Sequence, residues 1–188
     1  MNALPATGGV RCPFIAFERP YREDLLLPGG GTVRLRPARW RDADALQALI
    51  ASMSPASRTL RFHGGLRALP PRLLHEFATQ RPGGQALRVA GQPLLDAAGH
   101  RLVAAAADVV DDEAPAEAEF ALAVADDWQR RGLGRALLVR LAIHAATQGI
   151  DRLWGAVRPG NAPMLALAEA IGGSVETRTD GLRVNLPL

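Results

Sequence analysis

Two glycines, placed where an apolar strand pattern gives way to a helical pattern, constrain the fold of this chain more than any other feature. Residues 120–125 are short and apolar, residues 126–128 suit a turn, and residues 136–148 contain neither Gly nor Pro. Between them lies Gln-Arg-Arg-Gly-Leu-Gly-Arg at residues 129–135. Glycines at the start of a helix let the backbone approach a ligand, and the free helix N–H groups favour an anion. The segment therefore predicts a phosphate-binding loop.

The spacing of this loop differs from that of the two commonest glycine-rich nucleotide motifs. A P-loop needs Lys followed by Ser or Thr, and the dinucleotide fingerprint needs G-x-G-x-x-G. Here the pattern is Gln-x-x-Gly-x-Gly, with Val124 five residues before Gln129 and Asn161 about thirty residues beyond the loop. The hexapeptide alone would also suit a glycine C-cap or a loose loop beside an Arg-rich helix. The strand, helix, strand and Asn that surround it favour the phosphate-binding alternative.

Length and composition favour one domain in a reducing compartment. A chain of 188 residues, 48% of them hydrophobic, can bury one core. The single cysteine, Cys12, cannot form an internal disulfide, which suits a cytoplasmic protein. We find no signal-peptide pattern and no apolar run of the roughly 18 residues that span a bilayer. The sequence thus predicts a protein that is neither exported nor held in a membrane.

The charge of the chain is distributed rather than gathered. All 22 basic residues are Arg and none is Lys, which raises the pI to about 10.3 although the net charge is only +3. These arginines are spread along the chain among 19 acidic residues. A nucleic-acid binder would concentrate them in a patch or stripe. We therefore expect a small, phosphate-rich ligand and no nucleic acid, with a basic nucleic-acid-binding domain as a rival class.

The chain divides into an N-terminal arm and one domain. Residues 1–31 mix short apolar islands with the glycine run 29–31, and they predict an arm ended by a glycine linker. The alternative is a segment that covers the substrate cleft or contacts a partner subunit, which leaves a homodimer open. Residues 32–188 form the predicted domain.

Within that domain the patterns predict helices and strands in a definite order. The predicted elements are strand 32–36, helices 42–53, 56–61 and 70–78, strands 86–95, 101–110 and 118–125, helix 136–148, strand 152–157, helix 161–171 and a hairpin within 174–188. Because a helix separates strands 118–125 and 152–157, we expect these two strands to be parallel.

This order and the loop motif resemble the GNAT superfamily, the Gcn5-related N-acetyltransferases, over about residues 33–186. Residues 36–37, 54–62 and 118–134 are similar to the acetyltransferase domain of bacterial protein lysine acetyltransferases. The resemblance implies an α/β (α+β) GNAT fold, with a mixed, mostly antiparallel sheet, two central splayed parallel strands and flanking helices. It also implies acetyl-CoA-dependent transfer of an acetyl group to a primary amine. A protein lysine is the favoured acceptor, and a small amine or amino acid is the alternative.

The resemblance also implies where acetyl-CoA binds. The backbone of Leu122 and Val124 would pair with the pantetheine arm, the N–H groups of residues 130–135 would face the pyrophosphate, and Asn161 would contact the cofactor. The complete set implied to bind acetyl-CoA is Leu122, Ala123, Val124, Gln129, Arg130, Arg131, Gly132, Leu133, Gly134, Arg135, Asn161 and Met164.

One position departs from the family pattern. Many members have a Tyr seven residues after the Asn, where it acts as general acid toward the leaving thiolate, but this chain has Ala168. The one tyrosine in the sequence, Tyr21, lies in the N-terminal arm. Members with Met at the position of Met164 commonly lack that Tyr. No protein acid is therefore predicted.

A general base is required because an amine must be uncharged to attack a thioester, and a lysine amine of pKa about 10.4 is protonated at neutral pH. Glu119 is the predicted catalytic base, because it lies in an otherwise apolar strand five residues before Val124. The alternative is a solvent-facing or salt-bridged Glu at a strand start. Glu117 is the second choice.

The histidines do not predict a metal centre. His63, His75, His100 and His144 lack metal-ligand spacing, and no cysteine accompanies them. The acyltransfer chemistry implied above uses acetyl-CoA and no metal. A non-catalytic acyl-CoA-binding regulatory module remains as the second rival class.

Overall fold

An eight-stranded sheet runs through the described part of the chain. The computed structural model describes residues 22–37, 39–62, 66–72, 74, 86–93, 101–110 and 113–188. The strands are β1 (Glu23–Leu26), β2 (Thr32–Pro37), β3 (Ala86–Pro93), β4 (Ala104–Val110), β5 (Glu117–Val124), β6 (Arg152–Val157), β7 (Ser174–Arg178) and β8 (Gly181–Pro187). The helices are α1 (Ala43–Ser52), α2 (Pro55–Phe62), α3 (Leu133–Thr147) and α4 (Ala162–Ala170). Two short 3-10 helices span Trp40–Asp42 and Asp126–Trp128.

The sheet is antiparallel except at one central pair. Its strand order is β1-β2-β3-β4-β5-β6-β8-β7, and only β5 and β6 are parallel. These two strands pair from Glu117 opposite Arg152 to Glu119 opposite Trp154, although β5 continues to Val124 and β6 to Val157. The parallel strands are therefore paired at their starts and apart at their ends. This arrangement confirms the predicted fold class, including the splayed pair.

Helix α3 covers one face of the sheet and connects the two parallel strands. Its side chains Leu133, Leu137, Leu138 and Leu141 are almost completely buried, and the helix packs on β3, β4 and β5. The sequence predicted a start at residue 136, but the helix begins three residues earlier, at Leu133, because the end of the glycine loop forms its first turn. Burial of this apolar stripe holds the loop rigidly against the end of β5.

Helices α1 and α2 are anchored on the other side of the sheet. Arg36 on β2 donates two hydrogen bonds of 2.7 Å to the buried Asp42, which also accepts the backbone N–H of Arg39 at 2.6 Å. Such a buried ion pair holds β2 and the start of α1 together, because separating its partners would leave an uncompensated buried charge. Helix α1 therefore begins at a defined place on the sheet. The predicted helix at 70–78 is described only at its start, where Leu74 N–H donates to Pro70 O at 3.0 Å.

The glycine run predicted as a linker is a turn within the sheet. Leu27 N–H donates to the Gly31 carbonyl and Gly30 N–H to the Leu27 carbonyl, both at 2.9 Å. Strand β1, which the sequence analysis missed, pairs antiparallel with β2 on the far side of this turn. The prediction of a linker was therefore wrong for residues 29–31. Residues 1–21, and with them Cys12 and Tyr21, lie outside the described residues.

Candidate active site

A cleft opens where the two parallel strands separate. Beyond Glu119 and Trp154 the strands no longer pair, and a cavity of about 650 Å³ lies between the end of β5, α2, the glycine loop and α4. Volumes of this size are usual for ligand sites. Ten of the twelve residues predicted to bind the cofactor line it: Leu122, Ala123, Val124, Gln129, Arg130, Gly132, Gly134, Arg135, Asn161 and Met164. The β6-facing edge of β5 can pair with an extended ligand there as an added strand would.

The glycine loop directs the start of α3 into this cleft. Gly132 is the N-cap residue with φ 89°, and Arg130 also has a positive φ of 57°. Helix α3 begins at Leu133, and its first regular bond runs from Ala136 N–H to the Gly132 carbonyl at 3.1 Å. The N–H groups before Ala136 have no acceptor within the helix. The loop therefore presents an anion site at one end of the cleft.

Gly134 shows how closely a ligand can approach this helix start. A Cβ atom at Gly134 would lie 3.6 Å from side-chain atoms of both Leu122 and Leu167, and 3.9 Å from Val124. These three residues line the cleft. The missing side chain at Gly134 therefore leaves space in the cleft itself, which fits a ligand passing between β5 and α4.

Gln129 connects the glycine loop to β5 and α2 through hydrogen bonds. Its side-chain amide donates to the Val124 carbonyl at 3.0 Å and to the Ser57 hydroxyl at 3.2 Å. Ser57 in turn donates to Asp126, which also accepts the N–H of Ser54 at 2.7 Å and its hydroxyl at 2.9 Å. Burial raises the pKa of Asp126, but these hydrogen bonds outweigh that effect and leave the pKa below its ordinary value. The start of α2 and the glycine loop are thus joined by one polar network.

The β1–β2 turn braces the same loop from outside. A Cβ on Gly29 would lie 2.8 Å from the Arg131 Cα atom, and one on Gly132 would lie 3.3 Å from Pro28. The Arg131 guanidinium donates to the Gly30 carbonyl at 3.3 Å and lies 5.2 Å from the Trp128 ring. Arg131 belongs to the set implied to bind acetyl-CoA, and in the structure its guanidinium lies against the turn.

Leu133 also lies apart from the cleft. Its side chain is 1% exposed and belongs to the core, so only its backbone N–H, in the first turn of α3, can serve the predicted role. The sequence signal for this was present, because Leu133, Leu137 and Leu141 form one apolar face at helical spacing.

The two candidate bases have different surroundings. Glu117, the second choice, accepts hydrogen bonds from Arg152 at 2.8 Å and from Arg183 at 2.7 Å. Both of its carboxylate oxygens are therefore engaged, Oε1 with Arg152 and Oε2 with Arg183. Glu119 is half-buried on β5 at the last paired position before the strands separate, and the next two residues, Phe120 and Ala121, line the cleft.

Helix α2 forms the opposite wall of the cleft near Glu119. Met53, Ser57, Leu60 and Arg61 line that wall. The Arg61 guanidinium lies 4.8 Å from the Phe62 ring centre. Burial lowers the pKa of Arg61, and the negative charge of Glu119 opposes this shift, so the two groups are electrostatic neighbours.

Asn161 begins helix α4 at the far edge of the cleft. Its Oδ1 atom accepts the Met164 N–H at 3.2 Å, as a helix cap does, and both residues line the cleft. Ala168 is fully buried in the same helix. The position of the missing tyrosine therefore carries no proton donor.

Comparison with known proteins places this arrangement in a family. The Acetyltransferase (GNAT) family matches residues 66–172, more than half of the chain. The chain belongs to the GNAT acetyltransferase family. This membership confirms the resemblance drawn from the loop motif.

Two curated relatives are similar over a shorter stretch. The [Ribosomal protein bS18]-alanine N-acetyltransferase of Salmonella typhimurium is 48% identical over 64 residues, which are 34% of this chain and 41% of that protein. Its Escherichia coli K12 counterpart is 47% identical over 64 residues, with the same shares. The match thus spans about two fifths of the length of these relatives.

Solved structures extend the likeness over most of the chain. The GNAT domain of S. lividans PAT has a TM-score of 0.75 and 26% identity, covering 89% of this chain and 97% of that one. A ribosomal-protein-alanine N-acetyltransferase from Brucella melitensis has a TM-score of 0.64 and 18% identity, covering 82% and 99%. The structure of yncA from Salmonella typhimurium with acetyl-CoA has a TM-score of 0.62 and 17% identity, covering 83% and 94%. The last two show the fold alone.

The GNAT family uses acetyl-CoA, and the cleft has the features that this molecule needs: an anion site, an open strand edge and an apolar channel. Among the residues that the structure describes, no group of three or more His, Cys, Asp or Glu is placed to hold a metal. His63, His75 and His100 lie outside those residues, and His144 is half-buried on α3. None of the described helices is long and apolar enough to cross a membrane.

Proposed function

We propose that this chain transfers the acetyl group of acetyl-CoA directly to a primary amine, with both substrates bound together. One observation carries the proposal. The open edge of β5 runs from near the anion-binding start of α3 to Glu119, which directly precedes the cleft-lining Phe120 and Ala121, so this strand edge connects a phosphate site with a carboxylate. In this proposal the pyrophosphate lies at Gly132 and Gly134, and the pantetheine arm pairs with the backbone of residues 122–124.

Side chains at the two ends of the cleft complete donor binding in this proposal. Arg130 and Arg135 are exposed at its phosphate end and add positive charge near the start of α3. Asn161 and Met164 close the other side from α4, and Gln129 fixes the Val124 carbonyl so that the end of β5 holds its shape. The N–H groups of residues 130–135, including those of Arg131 and Leu133, would face the phosphates.

Glu119 is the proposed general base. It takes the proton from the attacking amine while the nitrogen lone pair attacks the thioester carbonyl carbon, a C–N bond forms and the C–S bond breaks. A backbone N–H where the strands separate, such as that of Val124, would stabilise the carbonyl oxygen as it gains charge. CoA leaves as the thiolate and takes a proton from water, which suits the apolar Ala168 on α4. No covalent acyl-enzyme is required.

We propose a lysine side chain on another protein as the acceptor. This is supported by the likeness of residues 54–62 and 118–134 to protein lysine acetyltransferases, and by the structural match to the GNAT domain of S. lividans PAT over 97% of that domain. A second candidate follows from the curated relatives, which are named as acetyltransferases of an alanine of ribosomal protein bS18. Free amino acids and small amines are the third.

Labelled acetyl-CoA distinguishes these acceptors in one experiment. The chain is incubated with lysine-containing proteins, with peptides that begin with alanine, and with small amines and amino acids, and the products are mapped by mass spectrometry. None of the 188 residues is Lys, so every acetyl-lysine must lie on an added acceptor. We expect protein lysines to be labelled fastest, above the rate without enzyme. Efficient turnover of small amines alone would contradict the lysine assignment and leave the acetyltransfer itself intact.

A further inference from the structure

The acceptor end of the cleft contains a guanidinium, that of Arg61, which has the charge of Glu119 nearby but no hydrogen bond within the described part of the chain. Arg61 lines the cleft from α2, half-buried, with its guanidinium over the Phe62 ring at 4.8 Å. Within the residues that the structure describes, the guanidinium forms neither a salt bridge nor a hydrogen bond. Several other arginines show the contrast, since Arg34, Arg36, Arg140, Arg152 and Arg183 each bond a carboxylate.

Among the described residues, the charge of Arg61 is compensated only in part, by the negative charge of Glu119 and without a hydrogen bond. Met53 and Leu60, both apolar, line the same wall, and burial lowers the pKa of Arg61. Removing a charge from water is unfavourable unless an opposite charge or hydrogen-bond acceptors replace the water. The guanidinium group is also well shaped to donate two parallel hydrogen bonds to one carboxylate. The cleft therefore offers a carboxylate site to whatever molecule fills it.

The position of Arg61 assigns this site to the acceptor rather than to the phosphates of acetyl-CoA. Within helix α2, Ser57 accepts a hydrogen bond from Gln129 beside the phosphate end. Arg61 lies one turn further along the same helix and neighbours Glu119. Glu119 and Val124 are five residues apart on β5, about 16 Å at the usual strand rise. The phosphate end already has Arg130, Arg135 and the start of α3. Arg61 thus lies at the end where the proposed base meets the amine.

We propose that Arg61 binds a carboxylate that the acceptor holds close to the amine that is acetylated. This inference rests on the proposed function. For a protein acceptor, the carboxylate is that of an Asp or Glu next to the target lysine. Arg61 then contacts the carboxylate and Glu119 contacts the amine. The chain would therefore prefer lysines that have an acidic neighbour in the sequence. A free amino acid offers the same chemistry through its α-carboxylate.

Matched peptides measure the selectivity directly. Two peptides with blocked termini contain one lysine flanked on both sides by Glu or on both sides by Gln. We expect the wild-type chain to have a kcat/KM at least about tenfold higher for the Glu peptide, since one charged hydrogen-bonded pair is lost with Gln. In Arg61→Gln this ratio should fall toward one, while Arg61→Lys, which keeps the charge without the fork, should retain part of it.

A control and a second measurement separate Arg61 from general damage. Arg178→Gln removes an arginine from the exposed strand β7, and this variant should keep the wild-type ratio. The Kd of each peptide is also measured by fluorescence anisotropy in the presence of CoA, which has no acetyl group to transfer. Binding selectivity is thereby read without turnover, so failure of the proposed function does not hide the role of Arg61.

The outcomes are distinct. Equal binding and equal acetylation of the two peptides by the wild-type chain would overturn the carboxylate site and leave the acetyltransferase proposal standing. Selectivity that persists in Arg61→Gln would also overturn it, whether or not that variant binds acetyl-CoA more weakly. Peptides that bind selectively through Arg61 without being acetylated would support the site and contradict the lysine proposal. In that case free amino acids compared with their amides show whether the α-carboxylate is the source.

Discussion

In the proposed function, the two ends of the cleft recognise their substrates by different means. The phosphate end is built from backbone: a glycine N-cap, the first turn of α3 and the open edge of β5, all within residues 120–135. The acceptor end is built from side chains, Glu119 on β5 and Arg61 on α2, that are distant in sequence. Backbone recognition needs glycines at fixed spacing, which a sequence displays. Side-chain recognition depends on which helix faces which strand, and only the fold reveals that.

Contacts from other parts of the chain also support the phosphate end. Gln129 holds the Val124 carbonyl, and the turn at Gly29 abuts the Arg131 backbone. At the acceptor end, the residues that follow α2, His63 among them, lie outside the described residues. We therefore expect substitutions at the first end to act mainly on acetyl-CoA binding and those at the second to act on rate and acceptor choice.

The largest expected effect is loss of acetyl-CoA binding in Gly134→Val. A Cβ at this position would already contact Leu122 and Leu167 at 3.6 Å, so the two methyl groups of Val would fill the channel. We expect calorimetry to detect no binding, and circular dichroism to show a folded protein. Gly160→Ala is the control, because a Cβ there would meet nothing within 4 Å. Wild-type affinity in folded Gly134→Val would mean that the ligand does not pass beside this helix.

Glu119→Gln should separate chemistry from binding. It keeps the side-chain shape and removes the proton acceptor, so the rate near neutral pH should fall roughly 10²–10⁴-fold while the Kd for acetyl-CoA changes little. Part of the rate should return at high pH, where more of the amine is uncharged. Initial rates across pH, measured with saturating acetyl-CoA, provide the test.

The matched control is Glu117→Gln. Because Arg152 and Arg183 hold Glu117, its loss should lower stability without changing the shape of the pH profile. A wild-type rate in Glu119→Gln, or the altered profile appearing in Glu117→Gln, would exchange the roles of the two carboxylates.

The sequence predicted most elements because their signals are local. Strand β5, the loop, α3 and β6 follow from a short apolar run, two glycines and a stretch without helix breakers. Strand β1 was missed because it has four residues and a glycine run after it, and such a run suits a flexible linker as well as a turn. Only pairing with β2 distinguishes these possibilities.

The parts of the site that could be predicted from sequence are those whose contacts lie close together in the chain. The direction of Arg131 depends on a turn about one hundred residues earlier in the chain, at Gly30. The sequence ranked Glu117 second, but the two arginines that bond it could not be foreseen, since they lie 35 and 66 residues away. The role of Glu119 stays a prediction.

A smaller effect tests the turn that braces the phosphate end. In Gly29→Ala the new Cβ would lie 2.8 Å from the Arg131 Cα atom, so the glycine loop must shift. We expect the Kd for acetyl-CoA to rise about tenfold, which corresponds to roughly 1.4 kcal/mol. The acceptor KM should stay nearly constant.

Gly30→Ala is the paired control for the turn. Gly30 has φ +87°, so alanine is strained there, but its Cβ would meet nothing within 4 Å. This variant should lower the Tm and leave the Kd for acetyl-CoA close to that of the wild type. Equal weakening of acetyl-CoA binding in both variants would show that the turn acts only through stability, and the brace would be rejected.

The smallest expected effect concerns Asp126, which belongs to the polar network that joins the start of α2 to the glycine loop. Its folded-state pKa lies below the ordinary value because bonds from Ser57 and Ser54 outweigh the effect of burial. A lowered pKa means that Asp126 contributes stability above its unfolded pKa of about 3.9 and loses it as the pH falls through the folded value. Since the residue is exposed, the contribution should not exceed about 1 kcal/mol. Urea unfolding of the wild type and Asp126→Asn should therefore differ by a constant amount above about pH 5 and converge below about pH 4. A difference that grows on acidification would reverse the sign and show that Asp126 is better stabilised in its protonated form.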